Sequence, residues 1–297
     1  MRTTDLFIGI TSWNSELFLP HCLESIRRTT DGSSTHICVL DNSSTDQSAV
    51  IAKQAGAEVI VHNCTQPEAL QELVRRSHGH LTLLLHADVV LLANDWLKRC
   101  ADYLIGNTVL VSPEDIGCVP LSRPFGAGMP ESSFLLFRTD GLKRARRLAR
   151  KRPLRPPFVR REFDFYGNHV THNIPRRLAE RGYTWKPMKV YVSNAEPEPL
   201  FIPAPGTTLW TEELGYLRYG LGNFYGLDGM ITHYHNWYDR VIRVSDRASS
   251  GISATPKKRE FPAEFINAYS QRFLADYAEG TVDFPRDLYS DRLPVAL

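Results

Sequence analysis

The chain has 297 residues, of which 42% are hydrophobic and 23% charged, and its formal net charge at pH 7 is +2. This balance is typical of a globular protein with one large or two small domains, and it gives no reason to expect nucleic acid as a partner. No apolar run approaches the roughly 18 residues of a membrane span, and no signal-peptide pattern opens the chain. Five widely spaced cysteines favour buried thiols and a cytoplasmic protein.

The first 110 residues alternate short apolar strands with amphipathic helices. Strands are predicted at 6–10, 36–40, 58–61, 81–85 and 108–112. Helices are predicted between them, around 19–26, from the polar run 43–46 to Gly56, from Pro67 to Ser77, and near 94–104. Such an alternation predicts an α/β fold with a doubly wound, mostly parallel sheet.

The second half of the chain is less regular. A strand is predicted at 134–137, a helix from Ile174 to Gly182, and a C-terminal helix around 262–279. Residues 196–206 contain four prolines and 215–229 are rich in glycine and tyrosine, so both segments are predicted to be irregular. Residues 143–161 contain ten lysines or arginines and no acid, which fits either a solvated loop or a contact with an anionic membrane or acceptor.

Two predicted strands end in acidic residues. Asp41 follows the strand 36–40, and Asp88 follows the strand 81–85. Polar residues at the carboxyl ends of parallel strands face the ligand crevice of an open sheet. Two carboxylates there indicate a site for a ribose or base and for a divalent cation with its phosphates.

These residues resemble a known family. Thr11-Ser12-Trp13-Asn14, Asp41-Asn42-Ser43-Ser44-Thr45-Asp46 and the strand that ends at Asp88 are similar, in order and spacing, to the donor half of family 2 glycosyltransferases. The resemblance covers residues 6–95 well and implies a GT-A fold. It divides the chain into a nucleotide-sugar-binding half (1–115), an irregular acceptor-binding half (116–240) and a helical C-terminal extension (241–297).

The resemblance implies a role for each matching residue. Thr11 and Trp13 would line the base, Asp41 would accept a hydrogen bond from it, and Asp88 would coordinate Mn²⁺ or Mg²⁺ at the diphosphate. Asn14, Ser43 and His86 complete the set expected to bind the donor. Asp46 is better explained as a helix cap than as a ligand.

His86 departs from the family pattern, because it stands where the first acid of the D-x-D motif is expected. It could touch the ribose or bind the metal. Two late histidines, His233 and His235, could complete the metal shell, because residues two apart on an extended segment point to the same side.

The sequence offers several candidates for the catalytic base. Arg177-Leu178-Ala179-Glu180-Arg181-Gly182-Tyr183 resembles a family helix, but the acidic pair expected upstream is replaced by Asn168 and His169. His169 could serve as base near neutral pH, Asp164 is the second candidate, and another acid such as Glu131 is a third. The changes are also compatible with an altered acceptor, a retaining mechanism or an inactive enzyme.

The sequence therefore predicts a metal-dependent, inverting glycosyltransferase with a UDP-sugar as its leading donor. A saccharide, a lipid-linked saccharide or a small molecule could be the acceptor. The rival from another class is a non-catalytic nucleotide-sugar-binding protein on the same scaffold. A sugar nucleotidyltransferase is disfavoured, because 11–14 is not a glycine-rich, basic phosphate loop.

Overall fold

The computed structural model describes residues 6–30, 34–115, 129–142, 170–171, 173–194, 217–220, 222–236 and 263–285. The helices whose bounds lie within these residues are α1 (Leu19–Thr29), α2 (Ser48–Gln54), α3 (Gln66–Arg76), α4 (Trp96–Ala101), α5 (Ile174–Ala179) and α6 (Ala263–Glu279). The strands are β1 (Leu6–Ser12), β2 (Thr35–Asp41), β3 (Glu58–Val61), β4 (Leu81–His86), β5 (Val89–Leu91), β6 (Thr108–Asp115), β7 (Met129–Pro130), β8 (Phe134–Arg138), β9 (Thr184–Val192), β10 (Asn223–Leu227) and β11 (Met230–His235).

The strands form one sheet in the order β3-β2-β1-β4-β8-β6-β9-β10-β11-β5, and β7 pairs with β6 outside this path. The first four strands of this order run parallel, as do β6 and β9. β8 lies antiparallel between β4 and β6, and β10, β11 and β5 extend the sheet by antiparallel pairing. The predicted α/β class is confirmed, with the parallel pairing concentrated in the N-terminal half.

Helices cover both faces of the sheet. The side chains of β1 alternate between two hydrophobic cores, so that Ile8 and Ile10 pack in the core that includes α1, whereas Phe7 packs in the core that includes α3. Gly9 allows α3 to approach closely, because a Cβ atom there would lie 3.0 Å from the Cβ of Leu73. This two-sided burial is the arrangement expected of a doubly wound sheet.

An aromatic core joins α6 to the far end of the sheet. The ring of Phe273 stacks on that of Tyr234, with centroids 3.6 Å apart, and also contacts Tyr219 and Phe224. Asp276 accepts hydrogen bonds from the Tyr219 hydroxyl at 2.6 Å and from the guanidinium of Arg218 at 2.8 Å. The helix predicted at 262–279 therefore exists, and it stabilises the strands that carry the late histidines.

One structural prediction is wrong. Residues 223–227, expected to be irregular, form β10 between β9 and β11. A register shift between Tyr225 and Gly226 marks a bulge in this strand. Gly226 belongs to the bulge, since a Cβ atom there would lie 2.4 Å from the carbonyl oxygen of Met230.

The expectations about the cysteines and about the membrane are tested in part. Four of the five cysteines, Cys22, Cys38, Cys64 and Cys100, are buried thiols as predicted, and Cys118 lies outside the described residues. Within the described ranges, no helix combines the length and apolar character that a membrane crossing requires. The basic segment 143–161 lies outside those ranges, so its proposed membrane contact stays a prediction.

Candidate active site

The carboxyl ends of β2, β1 and β4 meet at one edge of the sheet. The strand register pairs Asp41 with Ser12 and His86 with Thr11. Since neighbouring strands are about 4.8 Å apart, β2 and β4 are roughly 10 Å apart across β1. Asp41 and His86 are each 1% exposed, and Asp88, two residues beyond His86, is 5% exposed. The two acidic strand ends identified from the sequence therefore lie at the same edge, on either side of β1.

The loops after β1 and β2 are joined by hydrogen bonds. The backbone N–H of Asn14 donates to Ser44 Oγ at 2.7 Å, and Asn14 Oδ1 accepts from the backbone N–H of Thr45 at 2.7 Å. Asn14 and Ser43 both have left-handed backbone conformations, with φ of 45° and 54°. The side chain of Asn14, predicted to bind the donor, thus holds the two loops together.

Asp41 also supports its own loop. Its Oδ1 accepts from the backbone N–H of Ser44 at 2.9 Å, and its Oδ2 accepts from the Ser44 hydroxyl. Thr11 and Trp13, the other residues expected at the base, are partly buried on β1 and in the loop that follows it. Asp41 is therefore fixed in place at the strand end by local hydrogen bonds.

Asp46 supports the start of α2, although the N-cap of this helix is Gln47 and not Asp46. Its Oδ1 accepts from the backbone N–H of Ser48 at 3.0 Å and from the Ser48 hydroxyl at 2.6 Å, at the start of α2. Its Oδ2 accepts from the backbone N–H of Glu16 at 3.1 Å. Asp46 therefore connects α2 to the loop after β1.

A buried cluster that could hold a metal ion lies at the end of β4. His86, Asp88 and His235 each offer one ligand atom, and these atoms all lie within 4.8 Å of one another. His235 Nε2 is 3.4 Å from Asp88 Oδ1, and the rings of His86 and His235 have centroids 5.7 Å apart. Nδ1 of His86 is buried and has no hydrogen-bond partner among the described residues. A divalent cation would fit this donor set.

The sheet topology explains why these residues meet. β5 follows Asp88 directly, and β11 pairs antiparallel with it, so that His235 lies opposite Val89. The backbone N–H of Asn236 donates to the Asp88 carbonyl at 3.1 Å. The end of β11 is thereby held beside the end of β4, although the two are about 150 residues apart in the chain.

Each histidine of the cluster has a polar contact outside the cluster at one ring nitrogen. His86 Nε2 is 2.8 Å from the side-chain nitrogen of Gln66, at the start of α3. His235 Nδ1 is 3.6 Å from Oε2 of Glu131, which is 3% exposed and also accepts from the Ser133 hydroxyl. Outer contacts of this kind fix the orientation and tautomer of metal-binding histidines.

Glu131 reaches the cluster because β8 runs antiparallel to β4. Residues just before β8 therefore lie at the edge where β4 ends, and the backbone N–H of His86 donates to the Ser133 carbonyl at 2.9 Å. The sequence suggested Glu131 only as an alternative base, and it did not single out Gln66. A capping box between Thr65 and Glu68 fixes the start of α3 and hence the position of Gln66.

His233 has different surroundings from His235. Its ring stacks between Phe134 and Tyr225, with centroid distances of 4.5 Å and 5.0 Å. Burial, together with the neighbouring His235, holds the pKa of His233 well below its usual value of 6.5. Both histidines lie on one face of β11 as predicted, but the clustered set contains His235 and not His233.

The two leading candidates for the catalytic base, His169 and Asp164, lie outside the described residues. The chain is described again at Val170 and Thr171, both buried. The Thr171 hydroxyl donates to the carbonyl oxygen of Pro130, the residue before Glu131.

Comparison with known proteins gives one family. The model of the family described as "Glycosyl transferase family 2" matches residues 7–154, about half of the chain. No curated protein matches the chain.

Several solved structures are similar to parts of this one. One is TarS 1–349 from S. aureus, with 16% identity and a TM-score of 0.38 over 47% of this chain and 48% of that one. Another is glucosyl-3-phosphoglycerate synthase from Mycobacterium tuberculosis in complex with Mn²⁺, UDP and glucosyl-3-phosphoglycerate, with 18% identity and a TM-score of 0.37 over 47% of this chain and 58% of that one. The mannosyltransferase PcManGT from Pyrobaculum calidifontis, in complex with GDP-Man and Mn²⁺, is similar over 94% of this chain and 76% of its own, with 12% identity and a TM-score of 0.47. The match spans about half the length of the first two proteins.

Proposed function

The chain belongs to glycosyltransferase family 2, and we propose that it transfers a sugar from a UDP-sugar to a hydroxyl-bearing acceptor with the help of a divalent cation. One observation carries this proposal. Asp41 and the His86–Asp88–His235 cluster lie at the ends of two strands that flank β1, all within the region that matches the family except His235. A base-binding group on one side and a diphosphate-binding group on the other suit a nucleoside diphosphate.

The site that binds the nucleobase of the donor is assigned to the loops after β1 and β2. Asp41 accepts a hydrogen bond from an N–H of the uracil ring, Trp13 stacks on the ring, and Thr11 lines the pocket. Asn14 and Ser43 act by shaping the loops, as their hydrogen bonds and left-handed conformations support.

The divalent cation is assigned to His86, Asp88 and His235, with Mn²⁺ and Mg²⁺ as the family precedents. When bound, such a cation neutralises charge on the diphosphate and makes the nucleoside diphosphate a better leaving group. The protein holds the ligands in place: Gln66 orients His86, and Glu131 orients His235. Burial of all three ligands excludes water and strengthens their electrostatic contacts.

The base that deprotonates the acceptor hydroxyl is assigned to His169, with Asp164 as the alternative, in an inverting displacement. Val170 and Thr171, which follow His169 in the chain, are buried, and the Thr171 hydroxyl donates to the carbonyl oxygen of Pro130, beside Glu131. Glu131 itself contacts His235 and Ser133, which favours a supporting role over direct proton transfer.

The acceptor is a saccharide, a lipid-linked saccharide or a small molecule. A lipid-linked acceptor would fit a cytoplasmic enzyme that touches the membrane through the basic segment 143–161. Both location and membrane contact stay predictions.

A donor screen tests the proposed function. The purified chain is incubated with UDP-, GDP- and dTDP-sugars, with and without EDTA, and release of the nucleoside diphosphate is measured. We expect release from a UDP-sugar that EDTA suppresses and added Mn²⁺ restores. Asp88→Ala should abolish the metal response, whereas Asp95→Ala, which alters an exposed acid at the start of α4, should leave it intact. Release of the nucleoside diphosphate at the same rate with and without EDTA would contradict the metal assignment.

A further inference from the structure

The donor set at the end of β4 is rich in nitrogen. Of the three residues whose ligand atoms cluster within 4.8 Å, two are histidines and one is an aspartate. The position that carries the first acid of the D-x-D pattern is His86, so the protein supplies a single carboxylate where two would be expected. Imidazole nitrogen favours transition-metal ions, whereas Mg²⁺ prefers an octahedral shell of hard oxygen ligands.

The surrounding contacts preserve this nitrogen character. Glu131, the next acid, is 3.6 Å from Nδ1 of His235 and accepts from the Ser133 hydroxyl, so it is engaged by these groups and does not belong to the clustered set. The side-chain amide of Gln66 lies 2.8 Å from Nε2 of His86, and with its oxygen turned toward this nitrogen it would accept the Nε2–H and leave the lone pair of the buried Nδ1 to a cation. Both histidines are therefore held so that one ring nitrogen can face an ion.

We infer that this site selects a cation that favours nitrogen ligands, of the class of Co²⁺ and Zn²⁺, and discriminates against Mg²⁺. The inference rests on the proposed function, since it concerns the cation of the same donor site. His86 is the residue that determines the selectivity: with an aspartate in its place the site would have two carboxylates and one imidazole, a set better suited to Mg²⁺. His235 contributes nitrogen in either case.

Direct metal binding tests the inference without any sugar donor. The full chain is stripped with EDTA and dialysed, and MgCl₂, MnCl₂ and CoCl₂ are titrated separately by calorimetry, with the visible absorption of bound Co²⁺ as a second readout. We expect Co²⁺ to bind at least about tenfold more tightly than Mg²⁺, with absorption bands typical of mixed nitrogen and oxygen ligation. Mg²⁺ binding within about threefold of Co²⁺ would overturn the inference.

Variants separate the site from other histidines. His86→Asp should narrow the ratio between Co²⁺ and Mg²⁺ affinity, by weakening Co²⁺ and strengthening Mg²⁺ binding. His62→Gln alters an exposed histidine outside the cluster and should change neither. An unchanged ratio in His86→Asp would also overturn the inference. If that variant does not fold, His235→Gln, which removes the second imidazole, should lower Co²⁺ affinity and leave the weak Mg²⁺ binding unchanged, and unaltered Co²⁺ affinity would count against the inference.

Failure of the metal selectivity and failure of the proposed function would give different results. A chain that binds Co²⁺ selectively but releases no nucleoside diphosphate from any donor would retain the metal selectivity and lose the transferase assignment. A chain that turns over a UDP-sugar equally well with Mg²⁺, and binds Mg²⁺ as tightly as Co²⁺, would retain the transferase and lose the selectivity.

Discussion

Nδ1 of His235 lies 3.6 Å from Oε2 of Glu131. The other ring nitrogen of the same histidine lies 3.4 Å from Asp88 Oδ1, so the imidazole stands between two buried carboxylates. At this distance the Glu131 carboxylate acts on the ring by its charge, which favours the tautomer with the hydrogen on Nδ1 and the lone pair of Nε2 on the side where Asp88 lies. Glu131 is thus a positioning residue for the metal cluster.

Glu131→Gln should weaken Co²⁺ binding about tenfold, because the neutral amide no longer stabilises the tautomer that His235 needs. Calorimetry measures the affinity, and the Co²⁺ absorption spectrum should shift, which a change confined to folding would not produce. Glu114→Gln, on β6, removes only a 3.9 Å pair with Lys189 and should leave both readouts unchanged. An unaltered spectrum in Glu131→Gln would remove the positioning role.

Asp41→Asn should weaken UDP binding about tenfold or more, because a charged acceptor of the base hydrogen bond becomes an amide. Asp41 also binds Ser44, so Ser44→Ala serves as the comparison: it removes the hydroxyl's contacts with Asp41 and with the backbone N–H of Asn14, and it leaves the carboxylate. Titration of UDP into each variant distinguishes the two roles. Equal losses in both variants would mean that Asp41 acts by supporting its loop and does not bind the base.

The N-terminal half of the fold was predictable because its signals are local. Each buried parallel strand is a short apolar run, and glycines with positive φ, such as Gly56 and Gly79, follow the helices at the predicted places. β10 was missed for a physical reason: Gly222 and Gly226 suggest a loop by composition. Yet both positions need glycine because of close packing: Gly222, beside the strand, lies against Tyr234, and Gly226, in the strand, lies against the backbone of Met230.

The candidate site was predictable only in part, because it depends on pairings between distant segments. Asp41, His86 and Asp88 end strands that the sequence identifies. The choice between His233 and His235 depends on the register of β11 against β5, which places His235 opposite Val89 and His233 opposite Leu91. Glu131 depends likewise on the antiparallel pairing of β8 with β4. Neither register is encoded in a local pattern.

Gly222→Ala should destabilise the protein by about 1–3 kcal/mol, as expected for overpacking in a full core. A Cβ atom at this position would lie 1.8 Å from the hydroxyl oxygen of Tyr234, which stacks on Phe273 of α6. Urea denaturation measures the loss. Gly141→Ala is a useful comparison, because its Cβ would meet the side chain of Val109 at 2.7 Å on a different core. A Gly222→Ala protein as stable as the parent would show that Tyr234 and α6 move to make room for the added methyl group without loss of stability.

Alkaline pH should destabilise the junction between α6 and the sheet. Burial, and after it the hydrogen bond to Asp276, raises the pKa of Tyr219 from 10 to about 12. Because the folded-state pKa exceeds the unfolded one, the stability linked to the neutral hydroxyl is fully present below pH 10 and is lost as the pH rises toward 12. The free energy of unfolding, measured by urea titration between pH 9 and about 12, should therefore fall across this window.

Tyr219→Phe should be less stable than the parent at neutral pH, because it removes the bond to Asp276 and the bond accepted from the backbone N–H of Asp283. Its stability should also fall less steeply above pH 10, since the group that titrates there is gone. Tyr183→Phe, at a partly buried tyrosine outside this junction, keeps the bond between Tyr219 and Asp276 and serves as the control variant. A Tyr219→Phe protein whose alkaline slope matches that of the parent would assign the loss of stability to another group.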